Sequence, residues 1–554
     1  MRRALIPFIM YLLLVSILTA QNKEIINKYR PTEVDLYKTL DQGIKSKTAK
    51  YIKLFYNEKG SYSYTQKKSF DGKGKTVIFE LYGDNPDIRL SIKNLSLSGF
   101  DKVFFNVFNI SEITIDSCSF INILNGVSFE FKENLNGKKK VSSIDIKNSK
   151  FIDNNLNKNK SNFSDQLKFS RNKYSKGLAL LKNVTIDNCT FEMNDSSTSW
   201  QIKSVHNTYP KRHSITFYRV SSEAAFSKIS IINNYFEAKA PYYRTEAITF
   251  VNDHNADFRT PKNLYEKNRD INISNNKMVT TSQDPGHGIF IQGPYQFVKV
   301  NNNKVENYGM NMIEGNNINC DGAVHLYGSR NSKYSDDLRD ITVNNNVISS
   351  TSIAIKINGI QNAVIKQNQI KMLQWPEFYR KSKLINKMDR IGIKAASGAY
   401  KDKTKQSTNV LIKENVVDCN YEKACVGITV QGIKEFKIVD NKISNPTNYG
   451  ILVFGHKGEK NLNVGKSSIA QNIINYGKQN FNSLNTNFYK IYNVNFAAIK
   501  VHRMDNGKKY NKESLIIKEN KIIDKSNTIP KASVVDLTKS QLKSNTKSDM
   551  TIEN

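Results

Sequence analysis

The stretch VKVNNNKV at 298–305 decides the fold. Val298 and Val300 alternate with Lys299, so two apolar side chains share one face of a strand; a run of Asn follows as a turn, and Val305 resumes the apolar face. The same frame, [IVL]-x-[IV]-x-x-[N/C/S]-x-[FIVM], recurs as ITIDSCSF at 113–120, IDIKNSKF at 144–151, VTIDNCTF at 184–191, ISIINNYF at 229–236, INISNNKM at 271–278, ITVNNNVI at 341–348 and VLIKENVV at 410–417. Looser copies are AVIKQNQI at 363–370, FKIVDNKI at 436–443, SSIAQNII at 467–474 and LIIKENKI at 515–522. Aligned, they put Cys118, Ser149, Cys189, Asn234, Asn276, Asn303, Asn346, Asn368, Asn415, Asn441, Asn472 and Asn520 in one column, at intervals of 22 to 48 residues.

Such a column is expected of a solenoid. Asn tolerates the left-handed backbone of a tight turn, and its amide can bond the equivalent amide one coil away. The short interval fits a bare coil of three strands and the long ones fit coils with an inserted loop. The frame therefore predicts an all-β chain: a single-stranded right-handed parallel β-helix with an Asn ladder. A β-sandwich has strand-turn spacing but no reason for a fixed polar column.

A second strand recurs in each coil and opens with Gly or Ala. Its copies are AITFVN at 247–252, GIFIQG at 288–293, AVHLYG at 323–328, AIKING at 354–359, GIKAAS at 392–397, GITVQG at 427–432, GILVFG at 450–455 and AIKVHR at 498–503. Alternation predicts inward columns at Ile289, Val324, Ile355, Ile393 and Ile428, and at Ile291, Leu326, Ile357, Ala395 and Val430. The opposite parity faces out. It carries Gln292, then Asp321, His325 and Tyr327, then Lys356 and Asn358, then Arg390 and Lys394.

In this order of strands, residues 88–525 resemble the pectin-lyase-like superfamily of polysaccharide lyases and glycoside hydrolases. The resemblance implies that the Asn turn joins the second and third sheets and that the Gly-strand lies in the first, which floors the substrate cleft. Residues 21–87 are then an N-terminal cap with a short helix at Val34–Ile44 and a first strand at Thr76–Leu81, and 526–554 a polar tail or C-terminal cap. The segments Gly286-His287-Gly288 and Arg390-Ile391-Gly392-Ile393-Lys394 are similar to the Gly-His-Gly and Arg-Ile-Lys motifs of polygalacturonases, with an extra Gly in the second.

Residues 1–20 combine Arg2 and Arg3 with the apolar run Ala4–Leu18 and a Thr19-Ala20 end, the pattern of a cleaved secretory signal. A secreted or periplasmic protein without a membrane span in its mature form is expected. With 82 Lys plus Arg against 50 Asp plus Glu, the net charge is +32 and suits a polyanionic partner. For an exported chain that partner is an acidic or sulfated polysaccharide and not nucleic acid, although Lys residues that only solvate a solenoid give the same total. A monomer is expected. The five Cys are too few and irregular for a disulfide framework or zinc site, and Cys419 with Cys425 is the one spacing that suits a pair. No metal ligands stand out; calcium is compatible with the resemblance, but no acidic cluster compels it.

Two chemistries fit the outward row. In β-elimination on a uronate, His325 or Lys356 serves as base, Arg390 and Lys394 clamp the carboxylate, and Tyr327 protonates the leaving oxygen. Hydrolysis needs two carboxylates, and Asp321 is the one that alternation supplies. Gln292, Asn358, His287, Glu246 and the loop aromatic Trp375 are the expected substrate contacts. Elimination is the leading expectation, because the row is richer in base and cation than in carboxylate. A hydrolase of a sulfated polysaccharide, a glycan-binding surface solenoid and a polymer epimerase are its rivals, and the fold alone does not choose.

Overall fold

The computed structural model describes residues 25–553 except 82–86, 108–110, 132–141, 155–162, 172–178, 196–210, 220–223, 241–243, 253–267, 283–285, 310–321, 329–337, 375–389, 398–406, 421–424, 448, 455–465, 478–496, 503–514, 525–534 and 538–549. Among these residues every strand belongs to one of three parallel sheets, of 16, 14 and 15 strands. Each coil visits all three in turn. Thus Arg269–Ser274 lies in the second sheet, Lys277–Ser282 in the third, His287–Gln292 in the first, and Gln296–Asn301 returns to the second beside Arg269–Ser274. This is the expected right-handed parallel β-helix. The Asn turn joins the second and third sheets and the Gly-strand lies in the first, as the resemblance implied.

The ladder is continuous. Asn415 Oδ1 accepts from both the backbone N and the Nδ2 of Asn368, at 3.0 and 2.9 Å. The Asn415 amide then donates to Asn441 Oδ1 at 2.9 Å, and the relation repeats to Asn472 and Asn520. Each Nδ2 finds a second acceptor in a strand carbonyl of the preceding coil, Ile365 for Asn415. These amides are buried, so the ladder satisfies groups that would otherwise be costly to desolvate. At the N-terminal end thiols replace amides: the Cys118 and Cys189 Sγ–H groups donate to the Ile92 and Ile146 carbonyls. Cys118, Cys189, Cys419 and Cys425 are all buried free thiols, so the spacing of Cys419 and Cys425 is not that of a disulfide here.

One expectation needs correction. The left-handed residue is not the ladder Asn but the one before it: Asn233, Asn275, Asn302, Asn345, Gln367 and Glu414 have φ between 54° and 58°. The two demands fall on neighbours because a residue that turns the chain outward cannot also aim its side chain into the core.

Inside the coils, identical residues stack. Phe79, Phe105, Phe129, Phe169, Phe217 and Phe250 form a file with ring centroids 4.4 to 5.2 Å apart, the spacing of adjacent strands. Past Phe250 the file continues as Ile291, Leu326, Ile357, Ala395 and Val430, all buried as alternation required.

The helix Glu33–Lys45 closes the N-terminal end, with a capping box between Thr32 and Asp35 and with Leu36 and Leu40 buried. Coils begin earlier than residue 88, because Tyr51–Tyr56 pairs with Thr76–Leu81 and Gly60–Tyr64 with Ile88–Lys93. That coil lacks the Asn turn and so escapes a pattern keyed to it. Strands Val535–Leu537 and Met550–Glu553 pair with Ala497–His502 and Asn520–Asp524, inside the segment expected to be a polar tail or C-terminal cap. Residues 1–20 lie outside the described residues; among those described, no helix is long and apolar enough to cross a membrane.

The ladder makes a quantitative demand. Asn415→Ala removes the oxygen that accepts from the buried backbone N and Nδ2 of Asn368, and is expected to cost about 2–4 kcal/mol against less than about 0.5 for the exposed Lys437→Ala. Chemical denaturation of both variants checks this; equal midpoints would remove the ladder from the stability of the fold.

Candidate functional site

The first-sheet strands open with a small residue for a steric reason. A Cβ on Gly288 would lie 2.5 Å from Val305 Cγ1, and one on Gly427 would lie 2.5 Å from Ile443 Cγ2 and 2.6 Å from the Gly450 carbonyl. This position faces inward at the corner where the third sheet closes on the first. The following residue, Ile289 or Ile428, is also buried in the core, so strict alternation breaks here. The residue before the small one is thereby thrown onto the outer face.

Four successive coils place an ionisable group there, in register: Asp165, His213, Glu246 and His287. Asp165 Oδ1 lies 2.7 Å from His213 Nδ1 and accepts from Thr216 Oγ1 at 2.7 Å. His213 Nε2 is 3.3 Å from Glu246 Oε2, which also accepts from Thr249 Oγ1 at 2.9 Å. Glu246 Oε1 faces Lys211 Nζ at 3.5 Å and His287 Nε2 at 4.0 Å. His287 Nδ1 donates to the Gly322 carbonyl at 2.7 Å, which fixes the proton on that nitrogen. Beside the column, Arg212 and Asp195 form a buried ion pair at 3.1 Å.

All four members of the column are buried, and their charges hold each other in place. Burial favours neutral Asp165, but the His213 hydrogen bond and the Lys168 charge outweigh it and hold its carboxyl at about 2. Burial likewise opposes charge on Glu246, yet Lys211 and His213 keep it well below the usual carboxylate range. His213 is pulled both ways: burial lowers it, and Glu246 with Asp165 raise it above its ordinary value. Asp165, His213 and Glu246 thus alternate as anion, cation and anion along the helix axis.

The expected row lies next to it. Phe290, His325, Lys356 and Lys394 are consecutive partners on the outer face. His325 is 5% exposed, while Lys356, Lys394, Tyr327, Gln292 and Asn358 are half-buried. Tyr327 sits with its ring centroid 5.5 Å from that of His325. Gly322 leaves room for the row, since a Cβ there would lie 2.8 Å from Lys356 Cβ. Column and row meet in a cluster of rings: His287 is stacked on Phe290 at 4.7 Å and lies 5.2 Å from His325. Lys211 reaches over the Phe290 ring at 5.9 Å.

The structure thus brings together His325, Lys356, Lys394 and Tyr327, with Gln292 and Asn358 flanking. It does not bring Arg390 to them. Arg390 is 2% exposed, and its guanidinium donates to the Leu373 carbonyl at the end of a third-sheet strand. Its place two residues before the small Gly392 puts it at the corner, where the alternation behind its assignment to the row no longer holds. His287 and Glu246, expected as substrate contacts, are members of the buried column. Asp321 and Trp375 lie outside the described residues. Among the described residues, no group of three or more His, Cys, Asp or Glu could hold a metal ion.

Asp165, His213 and Lys211 were not anticipated. The signal was present in DQLKF at 165–169, HSITF at 213–217, EAITF at 246–250 and HGIFI at 287–291, where an ionisable residue always precedes the corner position.

No family model matches the chain, and no curated protein matches it. Solved structures that resemble it include the periplasmic alginate epimerase AlgG, 11% identical, with a TM-score of 0.35 over 90% of this chain and 83% of that one. Two point mutants of AlgG are each 10% identical over the same shares, with TM-scores of 0.34 and 0.33. So distant a likeness carries nothing about chemistry.

The column sets a pH dependence. His213 is raised, so its contribution to stability is full below its unfolded value near 6.5 and is lost as pH rises through the raised one. Asp165 is lowered, so its contribution is present above about 4 and is lost as pH falls through about 2. The thermal stability of the wild type over His213→Gln is therefore expected to be highest and level between about pH 4 and 6.5 and to decline on both sides. Melting curves from pH 3 to 9 check this, and an advantage that grows toward alkaline pH overturns the assignment.

Proposed function

We propose that the chain is a carbohydrate-active enzyme that binds an anionic polysaccharide along the outer face of the first sheet and cleaves it by β-elimination at a uronate. The observation that supports this is the registered outward row His325, Lys356 and Lys394, with Tyr327 beside the imidazole.

In this reading Lys356 and Lys394 bracket the substrate carboxylate and neutralise the charge that develops on it as the neighbouring C–H bond breaks. His325 takes the C5 proton, the electron pair forms the C4–C5 double bond, and the C4–O bond breaks. Tyr327 delivers a proton to the departing oxygen. The proton gained by His325 returns to solvent, and the Tyr327 phenolate takes one back. The two sugars are released as separate chain ends, one unsaturated.

Hydrolysis is less well served among the described residues. An acid for glycoside cleavage must hold its proton at working pH. Asp165 and Glu246, the carboxyls on this face in the column, are both held ionised by His213 and their lysine neighbours. The surplus of basic residues, +32 over the chain, favours a polyanion whichever bond is cleaved.

The test is incubation of the purified protein with a panel of uronate-bearing and sulfated glycans. New ultraviolet absorbance from an unsaturated sugar is expected, reduced about 10²–10⁴-fold by His325→Ala. Lys394→Met is expected to weaken turnover of the uronate polymers with protein stability unchanged. New reducing ends without that absorbance would end the elimination reading. Saturable binding without shorter chains would make the solenoid a glycan-binding surface, and altered sugar composition at constant chain length would make it an epimerase.

A further inference from the structure

The buried column ends against the base of the proposed reaction, and this inference rests on that reading. We propose that Asp165, His213, Glu246 and His287 form a charge store that holds His287 as a cation beside His325, so that His325 stays unprotonated and able to act as a base. His287 is then a positioning residue.

The argument starts from the two nitrogens of His287. Nδ1 carries a proton because its partner, the Gly322 carbonyl, can only accept. Nε2 lies 4.0 Å from Glu246 Oε1. With a bare lone pair on Nε2, that approach sets two electron-rich atoms against each other in a buried site; with a second proton it is an ion pair. Glu246 is kept anionic by Lys211 and His213 and is oriented by Thr249, and His213 is secured from behind by Asp165. Each coil thus fixes the charge of the next, and the chain of fixed charges ends on His287.

His325 faces charges from both sides. On the N-terminal side are the His287 ring, 5.2 Å away, and beyond it Glu246 and Lys211. On the C-terminal side are Lys356, its direct register partner, and then Lys394; Tyr327 lies on its own strand. Among the described residues, the charge-bearing neighbours in register with it or stacked against it are cations, and a like charge at this distance disfavours a further proton. Phe290, packed against both imidazoles at 4.7 and 5.3 Å, keeps solvent from screening the pair.

The experiment is a ¹⁵N NMR titration of the histidine rings in the intact, substrate-free protein, with signals assigned through His287→Gln and His325→Gln. In Glu246→Gln the midpoint of His287 is expected to fall and that of His325 to rise by about one pH unit or more, as the neighbouring positive charge is lost. Thr249→Val, which removes one hydrogen bond to Glu246 and no charge, is expected to move both in the same directions by less, and decides the matter if Glu246→Gln does not fold. A His325 midpoint unchanged in the folded variants overturns the proposal, whatever the activity. If the midpoints move as expected and no unsaturated product forms from any glycan, the charge store stands and the elimination reading falls. Where product does form, the acid limb of its pH profile is expected to follow His325 upward in the variants; a profile that stays put detaches the store from catalysis and overturns the positioning role.

Discussion

Everything in this structure depends on one repeated hydrogen bond, the amide of a buried Asn donating to the amide oxygen of the Asn one coil on. From Asn234 to Asn520 that bond measures 2.9 or 3.0 Å at each step. It fixes the height of each coil at one strand spacing and pins the rotation of each coil relative to the last. Because coils cannot slip past each other, residues tens of positions apart in the chain, such as Glu246 and His287, meet reliably on the outer face. Core packing alone, with its long files of Phe and Ile, would tolerate sliding far better than paired amides do.

The fold was legible because its determinants are local and repeated. An eight-residue frame carries the strand alternation, the turn and the ladder, and a dozen occurrences average out chance. Inward residues of the first sheet, from Ile289 to Val430, followed from parity alone. What parity could not supply was the corner. There the third sheet presses so close that Gly288, Gly392 and Gly427 must lack a side chain, and the strand shifts phase by one residue. That shift moved His287 and Glu246 from expected substrate contacts into a buried column, and it removed Arg390 from the row it was assigned to.

Asp165 and His213 were hidden for a related reason. Their corner positions hold Gln166 and Ser214 in place of the Gly or Ala that marks later coils. Gln166 turns this to use, its side-chain amide reaching the Glu192 carbonyl across the corner. The charges of the column mean nothing one coil at a time; an isolated Asp, His or Glu at a strand start reads as a solvated residue. Their significance appears when the register sets them in sequence, anion against cation, along an axis that the sequence crosses only once every few tens of residues.

The ladder also has a direction. In every step the N-terminal Asn gives both its backbone and side-chain protons, and the C-terminal Asn receives them on one oxygen, so all the amide dipoles are aligned along the axis. A partly built helix therefore ends, at its C-terminal side, in a pair of unspent donors waiting for an oxygen. The next coil of the chain brings that oxygen. Assembly of the solenoid is in this sense polarised like a filament, with a growing end that matches the order in which the chain is delivered.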